Sequence, residues 1–461
     1  HHIGRVVDAL TELEILGDTL IFYVIGDNGA SGEGSLQGCF NEAASVNAPG
    51  AETTEYLLDR MDELGSPAAY NHYAVGWAHA MNTPYQWTKQ VASHWGGTRN
   101  GTIVHWPAGI EARGEVRNQF CHVIDIAPTA LEVAGLPEPV QVNGVTQDPI
   151  QGTSITYTFD APDAEERHTT QYFEILGNRG IYHHGWSAIT KHRTPWAMGE
   201  VELIAFDDDI WELYDGTNDW TQAHDLAAQH PERLADLQRL FLIEAARHNV
   251  LPLDDRLWER LLPDRAGRPT IAGDQSQTLF PGMGRLNENT LVSLFNKSYA
   301  VTADLVAPDD RNEGVIVSQG GSLGGWALYV RDGHLTYCYN YGSVETYTTA
   351  TDTAIEPGEH QVRAEFTYDG DGIGKGGDVT LYVDGEPAAT GRVDRTHLFS
   401  FSLDETTDVG HDLGSPVTDD YPPTDNGYTG EIRWVRFDTG TDDHNHLVDP
   451  HDLLHLAITR Q

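Results

Sequence analysis

The chain has 461 residues, with 28 Lys+Arg against 70 Asp+Glu and a formal net charge of −42. That excess of carboxylate argues against nucleic acid and anionic membranes as partners, because sequence-independent affinity for phosphate is supplied by Lys and Arg. A content of 39 % hydrophobic and 9 % aromatic residues excludes global disorder.

No stretch approaches about 18 consecutive apolar residues, so no membrane span is expected. Three widely spaced cysteines, Cys39, Cys121 and Cys338, argue against a disulfide framework and a CxxC zinc site. Lysine occurs only at Lys89, Lys191, Lys297 and Lys375. An acidic, lysine-poor surface predicts a halophilic protein, since screening over ~3 Å at 1 M salt removes self-repulsion. It suits a salt-rich cytoplasm and secretion into brine equally, so location stays open. At about 150 residues per domain, the length predicts roughly three domains.

From Ile3 to Leu16, apolar residues Ile3, Val6, Val7, Leu10 and Leu13 recur at helical spacing. Gly17-Asp18 breaks the pattern. Thr19 to Ile25 is an unbroken apolar run of the kind buried on both faces of a parallel sheet. A second such strand, Gly101 to Trp106, closes at Pro107, and His122 to Asp125 leads through Pro128 into a helical pattern, Thr129 to Ala134. The expectation is an α/β layer with parallel strands over residues 1–160. With no strands ahead of the first helix, half of such a domain is expected to lie outside the sequence.

Residues 161–252 read as an α+β subdomain, with short strands at Tyr172–Leu176, Gly180–Tyr182 and Trp211–Tyr214. A helix follows from Pro231, with Leu234, Leu237, Leu240 and Ile243 on one side. Residues 253–288 lose periodicity and read as a linker. From 289 to 461, alternating segments at 314–318, 326–330, 335–337, 362–366, 379–383 and 432–437 predict antiparallel strands. Asp332-Gly333 and Asp384-Gly385 predict two-residue hairpins. The expected architecture there is an all-β jelly-roll sandwich. Trp326, Tyr337, Tyr339 and Tyr341 form either its core or a sugar-stacking surface.

Gly26-Asp27-Asn28-Gly29 stands directly after the first strand. In open α/β sheets ligands bind at the carboxyl ends of strands, and a hard cation such as Ca²⁺ or Mg²⁺ takes carboxylate and amide oxygens. A plain Asn-Gly turn explains the same residues. Lys89, ahead of Ser93-His94-Trp95-Gly96-Gly97, is an anion clamp or a surface lysine, and Gly96-Gly97 would let backbone approach a ligand. His1-His2 and His183-His184 lack acidic partners at ligand spacing. The loop Asp369 to Asp378 fails the EF-hand pattern at Ile373 and Thr380 and reads as a hairpin loop.

Taken in order, several segments resemble the second half of a type I arylsulfatase, a formylglycine-dependent sulfatase of the alkaline-phosphatase superfamily. They are Gly26-Asp27-Asn28-Gly29, Lys89 ahead of Trp95 to Arg99, Trp106-Pro107, His122 to Asp125 with Pro128-Thr129, Tyr172-Phe173-Glu174, Gly177 to Arg179, and Trp211 to Asp215. The resemblance covers most of residues 1–250, while residues 289–461 resemble a laminin-G-like sandwich. It implies a partial alkaline-phosphatase-like α/β fold, Asp27 and Asn28 as two ligands of a divalent cation (Ca²⁺ or Mg²⁺), Lys89 as a sulfate contact, and His94 as a lesser substrate contact. It also implies a sulfate-ester small molecule or sulfated glycan as partner, and a hydrated formylglycine that attacks sulfur. The family makes that group from cysteine in a C-x-P-S-R type motif. Cys39, Cys121 and Cys338 are followed by Phe-Asn-Glu, His-Val-Ile and Tyr-Asn-Tyr, so none matches. The expectation is that the nucleophile lies upstream and that the chain alone does not turn over sulfate esters. A phosphate or phosphonate ester hydrolase, and a non-catalytic glycan-binding remnant, are the alternatives.

Overall fold

The computed structural model describes residues 1–448 and 458, apart from 49, 197–202, 258, 268, 269, 271, 273, 274, 309–311, 402–404 and 441–445. Two compact units emerge, one of residues 1–32 with 75–255 and the other of residues 33–74 with 256–461. The reading of residues 1–160 as one unbroken piece is thereby corrected, because residues 33–74 leave it to join the second unit.

In the first unit, the helix His2–Glu12 precedes strand β1 (Ile21–Val24), which pairs with β2 (Thr102–His105). The pairing is antiparallel, Ile21 opposite His105 and Val24 opposite Thr102, which corrects the expected parallel layer. An apolar run reports a tendency to be buried and carries no information on strand direction. Direction is set by the long excursion between the strands, which returns with Gly101 accepting from the Ile25 amide at 2.8 Å. Burial was also overestimated: Tyr23, Val24 and Ile25 are exposed, and the first helix contains no buried residue.

A four-stranded antiparallel sheet follows in simple order: β3 (Thr170–Ile175), β4 (Asn178–His183), β5 (Trp186–Thr190) and β6 (Trp211–Asp215). The helix Pro231–Arg247 packs on it through Leu237, Phe241 and Ala245, with Pro231 in its first turn. These residues are four apart. The three-residue series beginning at Leu234 drifts because a helix advances about 100° per residue, so nine residues bring Ile243 to the opposite side, where it is exposed.

In the second unit two antiparallel sheets enclose one core. We label its strands β7 (Ser276–Leu279), β8 (Tyr299–Ala307), β9 (Gly314–Gly321), β10 (Gly324–Arg331), β11 (His334–Tyr341) and β12 (Glu345–Ala350). Then come β13 (Gly358–Tyr368), β14 (Lys375–Val383), β15 (Glu386–Arg395), β16 (Thr407–Val409) and β17 (Glu431–Thr439). The orders are β15-β14-β13-β8-β17-β7 and β12-β11-β10-β9-β16. Both Asp-Gly turns close hairpins with both residues at positive φ: Asp332 at 51° and Gly333 at 84°, Asp384 at 54° and Gly385 at 83°. β7 lies in the segment expected to be a linker and pairs with β17, Leu279 opposite Val435.

Trp326, Tyr337, Tyr339 and Tyr341 are all core, at most 3 % exposed, which removes them as a stacking surface. Their polar atoms stay bonded: Trp326 Nε1 donates to Gln319 Oε1 at 2.9 Å, and the Tyr299 and Tyr337 hydroxyls meet at 2.6 Å. Each aromatic takes roughly 150–250 Å² out of water. At about 25 cal/mol per Å² that is on the order of 4 kcal/mol or more before ordering entropy.

The inserted residues 33–74 are part of this unit's framework. Asn41 caps the helix Glu42–Asn47 by accepting from the Ala43 and Ala44 amides, and its Nδ2 donates to the Gly342 carbonyl at 3.1 Å. Asn47 Oδ1 accepts from the Phe399 and Ser400 amides. Ala44, Ala48 and Ala51 complete the core on the apolar side.

Candidate active site

The site builds from the turn after β1. Gly26, at φ +86°, turns the chain, and Asp27 and Asn28 follow, the first exposed and the second half-buried. Gly29 is not at positive φ, so a turn does not account for it. Its amide donates to the Gly97 carbonyl at 2.9 Å, and a Cβ on it would stand 1.6 Å from the Gly96 carbonyl oxygen. Gly96 and Gly97 are likewise required by close approach to this chain's own backbone, at Gln86 and Val91. That corrects the expectation that they admit a ligand.

One residue further on, the Lys89 amide donates to the Ala30 carbonyl at 3.0 Å. Asn82 ties the two strands of the site again: Oδ1 accepts from the Ala30 amide and Nδ2 donates to the Trp87 carbonyl, both at 2.9 Å. Asp27, Asn28 and Lys89 are thus carried on two segments laced together backbone to backbone. The Lys89 segment is itself strained, with Trp87 at φ +67° and Gln90 at φ +71°. A bulky residue in that region costs on the order of 1–3 kcal/mol and persists only where its surroundings over-determine it. Asn178 contributes to that, its Nδ2 donating to the Gln90 carbonyl at 2.9 Å.

His94 is buried, with Nδ1 2.9 Å from Ser93 Oγ and Nε2 2.9 Å from Glu212 Oε2. Both ring nitrogens are engaged within the protein, so in this arrangement His94 holds the segment and leaves none for a sulfate oxygen. Burial raises the Glu212 carboxyl pKa, but the bond to His94 and its charge outweigh that and hold it below the usual range. Asp125 is a structural anchor. It accepts from the His122 and Thr153 amides, each at 2.7 Å, and from His168 Nδ1 at 2.8 Å. Burial opposes its ionisation, yet these bonds hold its pKa below the ordinary value; burial lowers that of His168, yet Asp125 raises it.

The carboxylate stabilises above about pH 4 and loses its effect as pH falls through its lowered folded value. The imidazolium stabilises below about pH 6.5 and loses its effect as pH rises through its raised value. The window is therefore about pH 4 to 6.5. His168→Ala is expected to cost about 3 kcal/mol at pH 6, by urea unfolding, with the gap from wild type narrowing above pH 8.

Sequence reasoning passed over two features. Asp209 is buried between Arg179, at 2.6 Å, and His192, at 2.9 Å. Asn178 accepts from the His192 and Arg193 amides, in addition to its bond to Gln90. The adjacent triplet Gly177-Asn178-Arg179 was the available signal.

The Asp27 carboxylate and Asn28 amide fit a hard cation in kind, but two residues fill only part of a shell of about six to eight oxygens. Among the described residues, no three His, Cys, Asp or Glu side chains gather to hold a metal. The cysteines do not fit a formylglycine precursor, because none of the three carries the motif.

Residues 1–136 match the family described as Sulfatase, and residues 93–241 the family described as N-sulphoglucosamine sulphohydrolase, C-terminal. The two matches together span residues 1–241. An uncharacterized sulfatase of Schizosaccharomyces pombe is 27 % identical over 263 residues, covering 55 % of this chain and 42 % of the relative. The chain thus spans less than half the length of that curated relative. A putative sulfatase from Bacteroides fragilis overlaps 54 % of this chain and 40 % of its own, at 15 % identity and TM-score 0.30. A protein solved with its substrate D-glucosamine-2-N,6-O-disulfate overlaps 55 % and 40 %, at 17 % identity and TM-score 0.32. Among the described residues no helix is long and apolar enough to cross a membrane.

Proposed function

We propose that residues 1–32 and 75–255 are the sulfate-recognising portion of a sulfuric ester hydrolase of the arylsulfatase kind, with the nucleophile not carried by this chain. Lys89 contacts the sulfate group. Asp27 and Asn28 supply two oxygen ligands to Ca²⁺ or Mg²⁺, which when bound would neutralise charge on sulfate oxygens. Residues 289–461 carry a laminin-G-like module in this reading. The observation that supports the proposal is the backbone lacing of Gly29-Ala30 to Gly97 and Lys89, which ties the segment of Asp27 and Asn28 to that of Lys89.

Titration of the full chain with inorganic sulfate tests it. Lys89→Met is expected to weaken binding at least tenfold, and Asp27→Ala to abolish any enhancement by Ca²⁺ while leaving the fold intact. The purified chain should release no sulfate from 4-nitrophenyl sulfate. Unchanged sulfate affinity in Lys89→Met, or turnover by the chain alone, contradicts the proposal.

A further inference from the structure

One of the four lysines, Lys191, lies over a tryptophan on the segment that carries a second, Lys89. Lys89 follows Trp87 by two residues, and Lys191 Nζ stands 5.1 Å from the centre of the Trp87 ring. Trp196 stacks on the same indole at 6.1 Å and 21°. Trp87, Lys89, Lys191 and Trp196 are all half-buried, so each keeps part of its surface open to solvent.

The spacing between the lysine-bearing segments is set by one side chain. Asn178 Nδ2 holds the carbonyl of Gln90, next to Lys89, and Asn178 Oδ1 holds the amides of His192 and Arg193, next to Lys191. His192 is fixed in turn by Asp209 at 2.9 Å and Asp255 at 3.2 Å. Glu212 is a carboxylate that Lys191 influences, and it is already engaged by His94 and the Tyr214 hydroxyl. In a protein of net charge −42, a lysine held against an aromatic face, on a segment tied through Asn178 to that of a second lysine, is a local feature of the opposite sign. A lysine over an indole keeps its N–H donors available at the rim, and an aromatic face accepts the face of a ring.

We propose that Trp87, Trp196 and Lys191 form a second subsite beside Lys89, which receives the ring of the sulfate ester and an additional anionic group on that ring. The inference rests on the reading of Lys89 as the sulfate contact. It makes Lys191 a specificity residue that selects doubly anionic esters.

The test is calorimetric titration of the full chain with inorganic sulfate, phenyl sulfate and 4-sulfooxybenzoate, at one ionic strength. Wild type is expected to bind 4-sulfooxybenzoate about tenfold more tightly than phenyl sulfate. Lys191→Met should erase that preference while leaving inorganic sulfate within twofold, Lys191→Arg should restore it, and Lys89→Met should weaken all three probes. Melting temperatures check that each variant folds. A purely structural lysine would change stability without moving the ratio between probes.

Equal wild-type affinity for the two esters, or a Lys191→Met effect that is nil or equal for all three probes, overturns the subsite while the Lys89 reading stands. Unchanged inorganic sulfate binding in Lys89→Met overturns the reading beneath it. Absence of binding of every probe by wild type at millimolar concentration overturns both.

Discussion

Replacing Gly29 by alanine is expected to destabilise the first unit by about 3 kcal/mol and to expose the amides of Gly29 and Lys89 to exchange. The added Cβ would stand 1.6 Å from the Gly96 carbonyl oxygen, where real contacts stay beyond 3.0 Å. That oxygen is backbone, so no side-chain rotation relieves the clash. The two segments must separate by more than an ångström, which breaks the 2.9 Å bond from Gly29 to Gly97 and strains the 3.0 Å bond from Lys89 to Ala30. Gly76→Ala is the control. It lies in the helix Val75–Asn82 with nothing within 4 Å of its added Cβ, and should be neutral or stabilising by up to about 1 kcal/mol. Urea unfolding with amide exchange at Gly29, Lys89 and Gly97 separates the two. Native-like protection in Gly29→Ala would show that the lacing is not rigid.

The second large effect is at Asp209. Its carboxylate is buried between the Arg179 guanidinium, at 2.6 Å, and the His192 ring. Asp209→Ala removes from the Arg179 guanidinium, itself only 5 % exposed, its ion-pair partner among the described residues, and removes the acceptor at His192 Nδ1. Removing one partner of such a pair costs about 3–5 kcal/mol, largely through the uncompensated charge left behind. The double variant Arg179→Met with Asp209→Ala should recover part of the loss, since the charge is then gone as well. The recovery is partial because Arg179 also donates to the Gly177 and Phe206 carbonyls. A loss below about 1 kcal/mol for Asp209→Ala would mean that water reaches the site.

What was legible in the sequence follows from which interactions are local. Asp332-Gly333 and Asp384-Gly385 located two hairpins because positive φ is a demand on the residues themselves. Pro231 located a helix start because its fixed negative φ and missing N–H suit a first turn. β-pairing direction, in contrast, is fixed by chain that lies between the strands, and the run from Thr19 to Ile25 carried no trace of the antiparallel partner it finds. The inserted residues 33–74 were invisible because their attachment is through Asn41, Asn47 and three alanines, whose roles exist only once the sheet edges are in place.

At the site, the glycines around the segments of Asp27, Asn28 and Lys89 were misread. Gly29, Gly96 and Gly97 looked like turns or ligand approaches, whereas each is small because another stretch of backbone passes against it. Lys191 had a signal in its rarity, but its relation to Trp87 depends on the two-sided amide of Asn178, a contact spanning 88 residues.

The most direct measurement is an anomalous-diffraction structure of the full chain grown with manganese chloride and sodium sulfate, manganese standing in for the divalent cation. The account predicts a manganese peak at the Asp27 carboxylate and the Asn28 amide oxygen, with tetrahedral sulfate density on Lys89 Nζ. Manganese bound elsewhere, or sulfate settled on other cations with Lys89 bare, would contradict it.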